Sequence, residues 1–506
     1  MYHFPDIDRM PDHPALPVPD YQALAEGFRG ALISPDNHIL RYNGKGSPIF
    51  GAYVNSKSNE MVTWGILAVG EWLSGRDTAW IGVTYPDFFI QETGLYTNSP
   101  GGMTSEYWYL FYVHTLAGTV MCALFPEDTA ARGRMASSAD ALVKMARHIN
   151  YDFNGQGFRF GGYTPFTNRD EYRQPDSIAG YAYQMLFAAL KADRPEYLQE
   201  STQALEKYQL FAENPWYEIP NGSAGLMAAA WLNSHGHAMD MQKIAGWVFD
   251  HTQGPLQAGK WGDEEVDGLM MGWRGDTRQA AMDSAYSMET LMPLQFLLPS
   301  VRYCPDLADA VGKWVRCVLS NFPLFYGRGT AALYETRPDL TPDVPYERLV
   351  RELDGHTPAA CGDFAGHRSV YGAGYLGWLA ALARPTTDAD IFALDLSLTD
   401  WLAGDKHPVF LLRNASGSDK AVAFAPAGVW QKLKPELYGE KELSCVCWDL
   451  SAWQMTESAA GKVKAKVPAK GLTIITLLPR GMTPEALNGF WTAGTAELLR
   501  LDPAGQ

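Results

Sequence analysis

The carboxylates of this sequence that could do chemistry stand where apolar stretches begin. Cleaving a glycosidic bond needs a proton donor to the leaving oxygen and a second carboxylate acting as base or nucleophile. Asp283, in RQAAMDSAYSMET, is expected about one turn inside an apolar helix, where a carboxylate is costly unless it is paired or faces a polar cavity. Glu289 falls deeper in the same stretch and suits a structural ion pair. Asp176, in RQPDSIAGYAYQ, opens another apolar helix, either as a catalytic group or as a plain cap for backbone N–H groups. Glu106 begins SEYWYLFYVH beside Tyr107 and Trp108, where it either favours the helix dipole or acts on a substrate. Asp263 leads the triplet Asp263-Glu264-Glu265 next to Trp261; adjacent carboxylates raise one another's pKa, although acid runs also simply solvate loops. Asp363, in GDFAGHRS, completes the set.

Basic and aromatic residues crowd the same loops. Arg159, Arg169, Arg173, Arg274, Arg278, His367 and Arg368 all precede apolar stretches in a chain of net charge −16. They either brace loop carboxylates or grip an acidic substrate, since the guanidinium fork matches a carboxylate. The chain holds 16 Trp, 25 Tyr and 22 Phe. Tyr107, Trp108, Trp216, Tyr217, Trp261 and Trp273 are candidates for platforms that take flat, C–H-rich sugars; the plainer alternative is packing beneath long loops.

Positioning these groups requires many helices. From about residue 20 to 383, apolar residues recur at three- and four-residue spacing between loops rich in Gly, Pro, Asn and Asp. One set of stretches is apolar all round and must be buried: 59–73, 105–120, 177–190, 222–232, 280–297 and 371–382. A second set carries a solvated face: 21–32, 128–148, 195–210, 238–249 and 306–319. The two alternate, with one outer helix unclear between the first two inner ones. The loops entering the inner helices are long, polar and aromatic, so they are expected to converge on one cleft.

Six buried helices alternating with amphipathic ones resemble the (α/α)6-toroid glycosidases and polysaccharide lyases, over most of the first 383 residues and on architecture alone. A repeat solenoid would show a fixed period of roughly 33 to 45 residues, which is not seen. The resemblance implies a second chemistry: lyases of this architecture neutralise a uronate carboxylate and use Tyr or His to move protons during β-elimination. His367, Arg368 and Tyr371 fall within five residues and are compatible with it. The surplus of carboxylates favours hydrolysis, and a non-catalytic glycan-binding protein is a further alternative.

After Ala383 the segments PVFLLRNAS, KAVAFAPAG, LSCVCWDLS, KVKAKVPA and GLTIITLLP read as short antiparallel strands. KVKAKVPAKGLTIITLLP, in its KVPAKGLTIITLLP portion, resembles the last strands of β-domains that end many glycosidases. The expected fold is therefore mainly α with a β part: residues 1–384 a toroid that carries the chemistry, and 385–506 a β-sandwich with a short helical tail.

Net charge and the lack of a basic run argue against nucleic acid. No apolar stretch approaches the roughly 20 residues that span a bilayer. The N-terminus lacks a basic start and apolar core, so a cytoplasmic protein is expected. Cys122, Cys304, Cys317, Cys361, Cys445 and Cys447 lack metal or redox spacing and read as packing residues. HGH at His235–His237 lacks the spacing of helical zinc ligands, and no metal or cofactor is required. An oligosaccharide or polysaccharide is the expected partner.

Overall fold

The computed structural model describes residues 1–36, 39–42, 48–54, 56–261, 264–265, 267–271, 274, 282–283, 288–326, 349–352, 358–360, 369–437, 445–458 and 461–501. In chain order the long helices are α1 (Tyr21–Ile33), α2 (Met61–Leu73), α3 (Tyr107–Leu124), α4 (Thr129–His148), α5 (Ser177–Lys191), α6 (Tyr197–Tyr208), α7 (Ile219–Ser234), α8 (Met241–Val248), α9 (Leu294–Tyr303), α10 (Ala308–Asn321) and α11 (Val370–Leu382). The apolar set becomes α2, α3, α5, α7, α9 and α11. Of these, α2, α3, α5, α7 and α9 are buried over most or all of their length.

Each inner helix from α2 to α9 packs against the next, and α11 packs against α2. The amphipathic helices lie outside them: α1 against α11, α4 against α3 and α5, α6 against α5, α8 against α7, and α10 against α9. Between α2 and α3 the expected outer helix is reduced to two short turns, Ala79–Gly82 and Tyr85–Phe88.

Glycines stand in the inner helices where their backbones touch. A Cβ at Gly225 of α7 would stand 2.6 Å from the Cβ of Ala179 on α5, closer than two such atoms can come. On α11, a Cβ at Gly377 would meet the carbonyl of Gly70 on α2 at 3.1 Å. Larger side chains would force these pairs apart.

One helix differs from expectation. The stretch 280–297 is not a single helix: Met288–Leu291 is a 3₁₀ turn, Pro293 is the N-cap, and the α-helix begins at Leu294. Proline has no N–H to give and disfavours the helical region for the residue before it, which suits Pro293 to the start of a helix, although α9 does carry Pro299 within it. Met282–Asp283 pairs instead as a short strand, with Asp283 opposite Arg351.

The strands used below are β1 (Thr104–Glu106), β2 (Gly157–Arg159), β3 (Thr164–Phe166), β4 (Ala383–Pro385), β5 (Phe392–Asp395), β6 (Val409–Asn414), β7 (Lys420–Phe424), β8 (Cys445–Asp449), β9 (Gln454–Ser458), β10 (Val463–Val467), β11 (Gly471–Pro479), β12 (Glu485–Leu487), β13 (Phe490–Ala493) and β14 (Ala496–Arg500). An antiparallel sheet of order β4-β5-β6-β11-β8-β9 follows the last helix, with β7 and β10 paired beside it. Val409 and Leu411 of β6 join the large helical core, whereas Phe410 and Leu412 join a second core with Val422, Phe424, Val463 and Val467. Burial on both faces explains why the sequence reads as continuous apolar runs there rather than as alternation. The expected helical tail is instead the three-stranded meander β12-β13-β14, whose last strand packs on α9.

Among the cysteines, Cys304, Cys317, Cys445 and Cys447 are buried free thiols and Cys122 is half-buried; Cys361 lies outside the described residues. Among the described residues no helix is long and apolar enough to cross a membrane.

Candidate active site

The starts of the inner helices are joined by a continuous set of hydrogen bonds. Ahead of α11, the Val370 N–H donates to Ala52 O at 2.6 Å, tying this helix to the loop before α2. At α2, the N–H groups of Met61 and Val62 donate to Asn98 O and Oδ1, on the loop that leads to α3. At α3, Trp108 N–H donates to Gln174 Oε1 at 2.8 Å, reaching the loop before α5. At α5, Asp176 Oδ2 accepts from Tyr217 N and Glu218 N at 3.0 and 3.2 Å, on the segment before α7. Arg274 N–H then donates to Tyr217 O at 2.7 Å. The N-termini of α2, α3, α5, α7 and α11 therefore share one end of the helical assembly.

Four of the five positions that precede these helices are acidic: Glu60, Glu106, Asp176 and Glu218 are the N-cap residues of α2, α3, α5 and α7. None caps its own helix through its side chain. Each carboxylate instead sits by the positive end of a helix dipole, and those of Glu60, Glu106 and Asp176 reach groups on neighbouring loops.

Glu106 ends β1, which pairs with β2 and through it with β3. Its two oxygens accept from Gln156 Nε2 at 2.9 Å and Gln174 Nε2 at 2.8 Å, and the side chain remains half-buried. Two amides from separate loops thus fix its orientation and leave part of it accessible. Asp176 has no exposed surface, and burial pushes its carboxyl up to about 7 against the opposing hydrogen bonds from Tyr217, Glu218 and Asn221. It joins the starts of α5 and α7 rather than facing solvent. Glu60 is held by Asn98 Nδ2 at 2.9 Å and Thr63 Oγ1 at 3.0 Å, and burial raises its carboxyl above the usual range.

Tyr217 connects these groups. Its phenol is buried, and burial first, then the charges of Glu218, Glu106, Tyr172 and Asp176, push its pKa well up. The charges of both Glu106 and Glu218 thus act on this one phenol. Beneath them, Tyr112 of α3, Tyr375 of α11 and Gln295 of α9 form a buried polar floor: the two hydroxyls share a hydrogen bond, and Gln295 Nε2 donates to Tyr112 Oη at 3.2 Å.

Tyr107 is fully buried, its ring edge-on to Phe153 at 5.4 Å, which corrects its expected place on a sugar platform: it is a packing group. Trp108, Trp216 and Tyr217 are also largely buried and belong to the wall behind the carboxylates. Arg169, Arg173 and Arg274 are exposed. Arg173 bonds Asp170 at 3.1 Å and Asn154 O at 2.5 Å, and Arg169 reaches the Tyr172 hydroxyl at 3.4 Å. Arg159 is exposed and lies over the Phe166 ring.

Asp283 lies on the short strand described above and not inside a helix. Its side chain, and those of Trp261, Glu264 and Tyr371, lie outside the described residues, as do Asp263, Trp273, Arg278, Asp363, His367 and Arg368. Glu265 accepts from Ala15 N at 2.9 Å. Sequence reasoning missed Glu60 and Glu218. The signal was an acid directly before an apolar run, in SNEMVTW and WYEIPNGS, the same signal that singled out Glu106. Among the described residues no group of three or more His, Cys, Asp or Glu side chains could hold a metal ion.

No protein-family model and no curated protein matches the chain. Among solved structures it is similar to a D-mannose isomerase, at 10% identity over 71% of this chain and 96% of that one, with a TM-score of 0.42. It is also similar to a GH127 β-arabinofuranosidase, at 10% identity over 96% and 81% with a TM-score of 0.35. A third likeness is to α-galactosidase I from Mortierella vinacea, at 11% identity over 52% and 63% with a TM-score of 0.16. With TM-scores this low, none of the three decides the chemistry.

Proposed function

We propose that the protein is a carbohydrate-active enzyme, a glycoside hydrolase, with its helices arranged as an (α/α)6 toroid and its cleft at the N-terminal ends of the inner helices. The observation that carries this reading is Glu106, a half-buried carboxylate at the start of α3 oriented by two glutamine amides, with a second carboxylate, the largely buried Glu218, at the start of α7 on the same end of the helices. In this reading Glu106 and Glu218 are the catalytic pair, and Asp176 is a positioning residue that holds the Tyr217–Glu218 segment. The exposed Arg169, Arg173 and Arg274 suit an acidic unit in the substrate. Asp283, Asp263 and Asp363 stay as reserve candidates for the acid.

Those three arginines also favour a second reading, β-elimination on a uronate-bearing glycan. Tyr217 is a poor base for it, because burial and neighbouring carboxylates hold the phenol protonated; the side chains of His367 and Tyr371, which this reading would use, lie outside the described residues. The carboxylates at the starts of the inner helices put hydrolysis first.

The test is a panel of neutral and uronate-bearing oligosaccharides, followed for new reducing ends and for the ultraviolet absorbance of unsaturated uronates. Reducing ends without absorbance are expected. Absorbance would replace hydrolysis with elimination, and silence across the panel would remove both.

A further inference from the structure

A second cavity lies at the other end of the same helices. Trp72 stands near the C-terminus of α2, Cys122 near that of α3, and Lys191 ends α5; with Arg132 of α4 and the loop carrying Trp401 and Lys406, they line a space of about 260 Å³. The 18 residues of α3 run from the cleft to this end, a rise of about 27 Å, so the cavity is distinct from the cleft.

Its lining is unusual for an acidic protein. Arg132, Lys191 and Lys406 all face it, and among the described residues none of the three has a carboxylate partner within ion-pair distance. Their hydrogen-bond acceptors are neutral carbonyls: Pro126 O for Arg132 at 3.3 Å, Ala403 O for Lys191, and Leu398 O for Lys406 at 2.9 Å. Asp400, the acid in the lining, is already committed. It takes Arg302 and the Tyr303 hydroxyl on one oxygen and the N–H groups of Leu402 and Ala403 on the other. With the charge of Asp400 shared with Arg302, three further cations around one cavity leave it net positive, and an entering anion would relieve their mutual repulsion. Burial outweighs the opposing charge of Asp400 and, with smaller contributions from Arg302 and Lys191, brings the Lys406 ammonium down to about 8.

The rest of the wall is aromatic. Trp72 and Trp401 pack with ring centroids 5.5 Å apart, and Lys406 Nζ sits 4.7 Å from the Trp401 centroid. Trp401 is 4% exposed, and its Nε1 is a buried donor with no acceptor. Charge and aromatic rings thus meet in one small volume.

We propose that this cavity binds a small organic anion, its carboxylate or phosphate held by Arg132, Lys191 and Lys406 and its apolar part lying on Trp72 and Trp401. The site is independent of the hydrolytic reading, since it shares no residue with the cleft.

Isothermal titration of the full chain with phenyl phosphate tests this, with inorganic phosphate as a second probe. One phenyl phosphate per chain is expected, bound more tightly than inorganic phosphate. Arg132→Gln and Lys406→Gln should each weaken it at least tenfold, while Arg274→Gln in the cleft should leave it unchanged. If Lys406→Gln does not fold, Arg132→Gln, at a half-buried position, decides alone. No binding by the wild type, or binding that Arg132→Gln leaves within twofold, overturns the proposal, as does binding lost in Arg274→Gln.

Discussion

Glu106 and Asp176 both precede inner helices, yet burial gives them different work. Glu106 is held from two sides and remains reachable. Replacing it with Gln turns an amide donor toward two amide donors, so Glu106→Gln should lose about 1–3 kcal/mol in urea unfolding. Its turnover on the substrate found by the panel should fall about 10²- to 10⁴-fold; a loss smaller than tenfold would take Glu106 out of the chemistry. Asp176 makes a pH prediction. Its folded pKa, about 7, lies above the ordinary carboxyl value of 3.8, so between these values the folded state holds a proton that the unfolded state has released. This group's contribution to stability is therefore present at acidic pH and declines as pH rises through that window, by about 1.4 kcal/mol per unit at most. Asp176→Asn keeps an acceptor for Tyr217 and Glu218 but cannot ionise. Relative to wild type it should gain stability from pH 5 to pH 8, and thermal melts that stay parallel across that range would contradict the buried, proton-holding carboxyl.

At the scale of elements, the inner helices depend on contacts that admit no side chain. Gly225→Ala puts a methyl 2.6 Å from the Cβ of Ala179, a contact neither helix can relieve by turning a rotamer. A loss of about 1–3 kcal/mol is expected in chemical denaturation; an unchanged midpoint would mean that α5 and α7 are not so closely packed. The alternation of apolar and amphipathic stretches made these helices legible in the sequence, because each inner helix lacks a polar face. The stretch 280–297 was misread because a periodic apolar pattern was carried through Pro293, whose ring sets where α9 can begin. The site was less legible than the helices. A glutamate before a helix is not a recognised capping signal, and only folding shows that Glu60 and Glu106 use that position to reach neighbouring loops. Similarly, nothing local distinguishes Tyr107 as packing from a platform; its full burial follows from Phe153, which is 46 positions away in the chain.

For the molecule as a whole, the helices and the final strands are joined through a buried charge. Arg302 of α9, 1% exposed, pairs with Asp400, donates to Leu498 O at 3.2 Å through Nε, and reaches Glu497 O on β14. Removing one partner leaves the other charge buried and uncompensated, so Asp400→Asn should cost about 3–5 kcal/mol in equilibrium unfolding. A change below 1 kcal/mol would show that water reaches the pair. The same arginine links the fold to time. Leu498 is made 196 residues after it, on the order of 10–40 s at ordinary rates of synthesis. Asp400 is made 98 residues after Arg302, halfway through that interval, and the carbonyls of Glu497 and Leu498 come only at its end, so the guanidinium of α9 gains its charge partner first and its full set of acceptors only when the last strand has been made.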